Sequence, residues 1–307
     1  VAVGPEATAG SGPGADVAIA CCRRTADSAA DDLYPDPDAG PLAAALATLG
    51  ATSRLVAWDD TAADWASYAT VVVSSTWDGI DRPAEYLAWA RRAASATTLV
   101  NAVETLAWDI DKIYLRTLEA AGIPVIPTTW VGPPDRMASV PGVEYVVKPS
   151  VSAGGRDTAR YAPGDEAGVR HVEALQRAGR TAMVQDYVGA VDTEGETDLV
   201  FVAGAFSHAV GKRFALTAGE GAVERPWERM AWSGMADPSP TQRRVAEATM
   251  TAVTAALRSQ PVYARVDLVT GPEGTPLVLE VELIDPYLSL DLDPDGAARL
   301  AAALTRR

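Results

Sequence analysis

The chain alternates short apolar runs with amphipathic stretches rich in alanine and leucine. Asp16–Cys22 is a compact apolar run with β-branched residues and reads as a buried strand. Pro41–Leu49 reads as a helix stopped by Gly50. Arg54–Trp58, Ala69–Ser74 and Thr98–Asn101 read as further strands, and Pro83–Ala94 as another helix. Strands alternating with helices predict an α/β unit on a parallel sheet, with ligands at the carboxyl ends of its strands. Trp58-Asp59-Asp60 and the Ser74–Asp78 stretch, with Ser75, Thr76, Trp77 and Asp78, fall at such ends. Turn chemistry and aromatic packing explain them at least as well as substrate contact does.

The pattern changes further along. A helix is expected over Trp108–Ala121, capped by Gly122. Glu144–Pro149 reads as a strand with one lysine, Lys148, in an apolar context. A glycine-rich loop, Ser150–Asp157, follows with Arg156 at its tip. Then come a helix over Glu166–Ala178, a strand over Ala182–Val188, and a hairpin of Thr197–Val202 and Ala205–Val210 leading to Lys212-Arg213. Gly219–Trp232 reads as loop, Thr241–Leu257 and Asp295–Thr305 as helices. The expected organisation is a disordered tail (1–15), an N-terminal α/β domain (16–105), and two α+β subdomains (106–188 and 189–307).

Tyr263–Asp285 reads as two strands around the turn Gly271–Pro276. Folded about that turn, Arg265 opposes Glu282 and Asp267 opposes Glu280, so all four share one face. Val266, Leu268, Leu279, Val281 and Leu283 fall on the other face, in a core. Three carboxylates on one face repel one another. Mg2+ would offset them, since it takes carboxylate oxygens together with phosphates. A solvated acidic hairpin with an Arg265–Glu282 ion pair fits these residues equally well.

Composition narrows the choice. The 307 residues are 48% apolar and 22% charged, as in a soluble globular protein. A net charge of −15 opposes nucleic acid or an anionic membrane as partner, and no apolar run reaches spanning length. No signal-peptide pattern is seen, so a cytoplasmic location is expected. Cys21 and Cys22 are adjacent, inside a predicted buried strand, and read as reduced structural thiols. Two histidines exclude a histidine-rich metal site. Neither a Walker loop nor a G-x-G-x-x-G turn is present. Lys112 and Lys148 are isolated cations in an acidic chain, and Ser152, Gly154, Gly155 and Arg156 could cover phosphates. Each feature alone is also explained by surface or turn chemistry.

Taken in order, Asp111-Lys112, Val146-Val-Lys-Pro149 with Ser152-Ala-Gly-Gly-Arg156, Val184-Gln-Asp-Tyr-Val188, Gly195-Glu-Thr197, Arg265-Val-Asp267 and Leu279-Glu-Val-Glu282 resemble the ATP-grasp superfamily. The resemblance covers roughly Asn101–Leu290. It implies ATP pinched between two α+β subdomains, with a parallel-sheet domain in front. Lys112 and Lys148 would then meet the phosphates, Gln185, Asp186, Tyr187 and Val188 the adenine, and Glu196 the nucleotide. Asp267, Glu280 and Glu282 would hold Mg2+; the superfamily commonly has Asn at the last of these. Arg213 and Arg265 would neutralise the transferred group or the substrate carboxylate.

Cys22-Arg-Arg24, Ala57-Trp-Asp-Asp60, Ser75-Thr-Trp-Asp78, Ser207-His-Ala-Val210 and Leu283-Ile-Asp-Pro286 are similar to a narrower branch, the one that includes the cycloserine-forming O-ureido-D-serine cyclo-ligase. Ser74, Gly79 and Tyr287 depart from that branch and are expected to shape the substrate pocket. The implied activity joins a carboxylate to a nitrogen through an acylphosphate, on a small amino-acid-like substrate. An intermolecular amino-acid ligase, a nucleotide-binding relative without ligase activity, and a simple α/β binding module remain open at this level. The sequence carries no signal for oligomeric state.

Overall fold

The computed structural model describes residues 16–27, 36–214, 216–222 and 230–305. The expected tail, 1–15, lies outside them. The first unit contains β1 (Val17–Cys21), α1 (Arg23–Asp27), α2 (Ala39–Thr48), β2 (Ser53–Ala57), β3 (Thr70–Val73), α3 (Pro83–Ala96) and β4 (Thr98–Leu99). Its strands form a parallel sheet in the order β2-β1-β3-β4. Such a sheet is buried on both faces, which explains the uninterrupted apolar run of β1. One face packs Ala18, Ala20, Val71 and Val73 under Trp58, Trp65, Tyr86 and Trp89. The rings of Trp58, Tyr86 and Trp89 meet at 5.2–5.9 Å, and burying each stabilises the fold by roughly 2–3 kcal/mol. Aromatic packing is therefore the role of Trp58, whose indole N–H also donates to Asp78 at 2.8 Å.

Next come α4 (Val103–Asp109), α5 (Tyr114–Ala120), β5 (Thr128–Val131), β6 (Tyr145–Pro149), β7 (Ala159–Tyr161), α6 (Ala167–Arg177) and β8 (Ala182–Asp186). The strands form an antiparallel sheet, β5-β8-β6-β7, backed by α6. The single helix expected over 108–121 is two helices. Lys112 N–H leaves the helical ladder and donates to Ser150 O at 2.9 Å. Asp111 accepts from Ile113 N–H at 3.1 Å, in the turn that leads into the second helix.

The rest is β9 (Glu196–Val202), β10 (Ala205–Phe214), β11 (Met230–Met235), α7 (Pro240–Leu257), β12 (Tyr263–Thr270), β13 (Pro276–Glu282) and α8 (Pro294–Thr305). The third sheet runs β11-β10-β9-β12-β13 and is antiparallel. Strand β11 was not legible in Gly219–Trp232, since a lone edge strand carries no alternation strong enough to mark it. A capping box starts α7: Ser239 Oγ accepts from Gln242 N–H at 3.2 Å, and Gln242 Oε1 from Ser239 N–H at 2.8 Å. This helix lays Ala246, Met250 and Val253 against Leu199, Phe201, Val266 and Val281. The last helix, α8, returns to the first unit, where Leu300 and Leu304 join Val17, Leu42 and Leu46.

The first sheet and the third are tied by buried polar side chains. Asn101 donates to Tyr263 O at 2.9 Å and Leu283 O at 2.8 Å, and accepts from Val262 N–H at 2.8 Å. Tyr263 Oη bonds Val73 O and Ile284 O at 3.1 and 2.8 Å. Every bond is made to backbone, so the strands are joined whatever side chains they carry.

Candidate active site

Hairpin β12–β13 has the expected register at its functional end: Arg265 opposes Glu282 and Asp267 opposes Glu280. A bulge follows between Asp267 and Leu268, leaving Leu279 as the extra residue. Leu279 is therefore not in the core; it turns into the cleft, and Val278 takes the core position. Alternation alone could not reveal a bulge, because it assumes one residue opposite one residue.

The cleft has a volume of about 1070 Å³ and lies between the three sheets. Asp267, Glu280 and Glu282 each bring a carboxylate oxygen within 4.8 Å of the others. Arg265 sits among them. Its Nε and Nη2 donate to the two oxygens of Asp267, both at 2.8 Å, and its Nη2 lies 2.7 Å from Glu282. Burial alone would lower the Arg265 pKa; Asp267, Glu282 and Asp198 outweigh it and hold the guanidinium well above its usual range. Burial would also oppose ionisation of Glu280, but Lys112, Lys148, Lys212 and Arg265 outweigh it and hold that carboxyl at about 2. Glu282 behaves oppositely. Burial and its neighbours Glu280 and Asp267 push it well above the usual carboxylate range, against the pull of Arg265. Two members of the metal-candidate trio are thus pulled in opposite directions: the surrounding cations hold Glu280 low, while burial and like charge push Glu282 up beside Arg265.

Lys112 Nζ lies 3.3 Å from Glu280 and donates to Ser152 O at 2.7 Å. It thereby joins the acidic hairpin to the glycine-rich loop. Lys148 is buried in the same cleft, and its pKa is lowered by burial and by Lys112. Among the described residues it makes no hydrogen bond or ion pair, so its ammonium is available to an anion. Ser152, Gly154, Gly155 and Arg156 border the cleft. Gly154 and Gly155 adopt φ of 61° and 71°, which only glycine takes without strain. Gln185, Asp186, Tyr187 and Val188 border its other side, with Ile126, Val146 and Leu279. Gln185 Nε2 donates to Thr128 Oγ1 at 2.7 Å.

A second buried cluster adjoins the first. Lys212 Nζ lies 3.0, 3.2 and 3.5 Å from Glu196, Asp198 and Asp267. These three carboxylates could also converge on a cation, and the lysine ammonium sits against all of them. Asp198 is at ion-pair distance, yet neither of its oxygens is aligned for a hydrogen bond. Burial and Asp267 push its carboxyl up to about 7. Lys212, not Arg213, is the basic residue of this strand that enters the cleft. Arg213 is exposed and donates to Thr193 O at 3.1 Å. The face is set by a bulge between Phe206 and His208, which puts Lys212 opposite Glu196.

At the far end, Ser75, Trp77, Asp78 and Tyr287 border the cleft, joined by Cys22, Arg23, Arg24, Asp36 and Ser74. Thr76 does not reach it. Its hydroxyl is buried against Tyr86 Oη at 3.0 Å and Asp285 at 3.2 Å. Cys22 lies 3.1 Å from Thr25 Oγ1, while Cys21 is enclosed in its strand, where burial pushes the thiol up. Sequence reasoning singled out Cys22-Arg-Arg24 as a motif but assigned it no site. The signal was positional, at the carboxyl end of the first strand.

Three comparisons bear on this geometry. Residues 17–101 match the family model of the N-terminal domain of D-cycloserine synthetase DcsG. The chain is 39% identical, over 284 residues, to the cycloserine biosynthesis protein DcsG of Streptomyces lavendulae, spanning 89% of this chain and 94% of that one. The crystal structure of D-cycloserine synthetase DcsG superposes with a TM-score of 0.82 at 36% identity, covering 95% of this chain and 99% of the other. D-alanine–D-alanine ligase from Bacillus anthracis, complexed with ATP, shares the fold at a TM-score of 0.63 and 15% identity, covering 95% and 96% of the two chains. No helix among the described residues is long and apolar enough to cross a membrane. A cleft of lysines and carboxylates between ATP-grasp sheets, at this level of identity, places the chain in the DcsG family of ATP-grasp proteins, as an ATP-dependent carbon–nitrogen ligase.

Proposed function

We propose that the protein closes O-ureido-D-serine to D-cycloserine, using ATP to activate the substrate carboxylate. The observation that carries the chemistry is the trio Asp267, Glu280 and Glu282, set in one cleft with Lys112 and Lys148. Likeness to the DcsG proteins supports the choice of substrate.

The trio suits Mg2+, because it offers hard carboxylate oxygens at converging positions and leaves room for phosphate oxygens. When bound, the ion would neutralise charge on the phosphates. Lys112 and Lys148 bind and orient the triphosphate, with Lys212 beside Asp267 next to the transferred group. Ile126, Val146 and Leu279 offer apolar contact to the adenine, and Gln185 to Val188 its polar edge. Arg265, fixed by Asp267 and Glu282, faces the substrate carboxylate. The carboxylate attacks the γ-phosphorus and becomes an acylphosphate. The oxygen-bound ureido nitrogen of the same molecule then attacks the acyl carbon and releases phosphate. The ureido carbon leaves as carbon dioxide and ammonia, with water supplying one oxygen. Closure within one molecule needs positioning more than a protein nucleophile, so neither cysteine is required. Compartment follows the same reading: a cytoplasmic enzyme supplied with ATP.

The test is incubation with ATP, magnesium and O-ureido-D-serine alone, with mass spectrometry for cycloserine and ADP. If ADP forms only when a second amine is added, and the product contains both molecules, an intermolecular ligase replaces this reading. Glu280→Gln should abolish product while leaving the fold intact. Near-normal turnover of that variant at low magnesium would overturn the metal assignment.

A further inference from the structure

Tyr287 borders the amino-acid end of the cleft, yet no regular element holds it. It belongs to the stretch between β13 and α8. The backbone from Tyr287 to Leu290 is gripped by polar side chains from three distant parts of the chain. Arg265 Nη1 donates to Tyr287 O at 3.0 Å. His208 Nε2 bonds Leu288 O at 2.7 Å. Asp38 accepts from Leu288 N–H at 2.6 Å and Leu290 N–H at 2.7 Å.

His208 is buried in β10, and the ligase chemistry makes no use of it. Its partners fix its tautomer. Leu288 O can only accept, so Nε2 carries the proton. Nδ1 then accepts from the hydroxyl of Ser207 at 2.9 Å. That hydroxyl is free to donate, because its oxygen already accepts from Arg299 Nε at 2.8 Å. Asp293 lies 3.2 Å from Nδ1, but its carboxylate is held by Arg299 Nη2 at 2.5 Å. The bonds therefore run in one direction, from Arg299 to Ser207 to His208 to the carbonyl of Leu288. A Cβ on Gly296 would meet the imidazole Cε1 at 2.8 Å, so α8 leaves room for this ring and little more.

We infer that Ser207 and His208, backed by Arg299, are positioning residues that set the Tyr287 wall and so tune amino-acid binding separately from ATP binding. The inference rests on the ligase reading above. His208 lies on the strand that carries Lys212 to the phosphate side, four residues before it. One strand thus serves both ends of the cleft through different residues.

The variants are His208→Leu, His208→Gln and Ser207→Ala. Leucine removes the donor to Leu288 O; glutamine keeps an N–H near the Nε2 position; alanine leaves the ring in place but frees its tautomer. With O-ureido-D-serine as substrate, His208→Leu should raise the amino-acid KM by about tenfold, the worth of one buried hydrogen bond. The ATP KM should stay within about twofold. Ser207→Ala should move the amino-acid KM in the same direction by less, and His208→Gln should recover most of the loss. Hydrogen exchange gives a readout that needs no substrate: in His208→Leu the amides of 288–290 should exchange faster while those of 150–157 do not change. If His208→Leu does not fold, Ser207→Ala alone decides by the same KM split and exchange pattern. Equal shifts in both KM values, no recovery with glutamine, or unchanged exchange at 288–290 would each overturn the inference. If the wild type does not turn over O-ureido-D-serine, the substrate reading fails, and the exchange comparison still decides the positioning.

Discussion

Arg156, at the tip of the glycine-rich loop, reaches across the cleft to Asp81 in the first unit. Its Nη1 donates to both carboxylate oxygens, at 2.8 and 2.9 Å, and its Nη2 to Trp77 O at 3.3 Å. The residue expected to face phosphate is bonded here to the 77–81 segment, which borders the far end of the cleft. Arg180 holds the base of the same loop, donating to Asp157 at 2.5 Å and Val151 O at 2.9 Å. On the proposed reading, closing over ATP and closing over the amino acid would be one event, which would keep water from an activated carboxyl.

Asp81→Asn should therefore raise ADP released per product formed by about two- to fivefold, the range expected for a largely exposed ion pair. Arg156→Ala should do the same, and the double variant should be no worse than either. Coupled assays of ADP and product check this; an unchanged ratio would mean that the pair does not govern closure. Hydrogen exchange over 150–157 should slow with a non-hydrolysable ATP analogue and magnesium.

Lys148→Met should stabilise the ligand-free protein while removing its response to ATP. Burial of the Lys148 ammonium outweighs its attraction to Glu280 and Glu196, and methionine fills a similar volume, so a gain of about 1 kcal/mol is expected. Thermal melts with and without ATP and magnesium separate the two effects. Loss of stability in the ligand-free variant would show that Lys148 is compensated where it sits.

Asp38 gives a pH test. Burial pushes its carboxyl up from 3.8 to about 7, against the hydrogen bonds from Leu290 and Leu288. A carboxyl raised in the folded state stabilises at low pH. That contribution is fully present below 3.8 and is lost as pH rises through about 7. The stability of wild type minus that of Asp38→Asn should fall by on the order of 4 kcal/mol between about pH 4 and 8. Urea titrations across that range measure it. A flat difference would show that the two backbone N–H groups fully offset the burial.

Leu279→Ala should weaken ATP binding by roughly tenfold and leave the amino-acid KM unchanged, since it removes apolar surface from the nucleotide end only. Calorimetry with the ATP analogue reports it directly.

That residue also marks where reading the sequence stops. The opposition of Arg265 to Glu282 and of Asp267 to Glu280 was legible, because side-chain period and turn position fix a hairpin register. Leu279, one residue further, was misplaced, since a bulge leaves no mark in alternation. On β10 a second bulge, between Phe206 and His208, likewise decides that Lys212 and not Arg213 faces Glu196. The split of the 108–121 helix depended on Ser150, 38 residues beyond Lys112, taking an amide hydrogen bond that local pattern assigns to the helix. Thr76 stands in the same loop as Ser75 and Trp77, but its direction is decided by Tyr86 and Asp285. Element existence was readable wherever burial is periodic; which way a side chain turns was not, wherever a distant backbone group decides it.

The bonds of Asn101 and Tyr263 make the parallel sheet and the acidic hairpin a single anvil. The substrate wall and the carboxylate trio cannot separate without breaking buried backbone bonds. The sheet that carries Lys148 and the glycine-rich loop is tied to them through its loop instead, by Arg156 to Asp81 and by Lys112 to Ser150 O and Ser152 O. On the proposed reading it is the hammer: ATP would enter where that sheet lifts, and closing would bring Lys148 down towards the carboxylate trio.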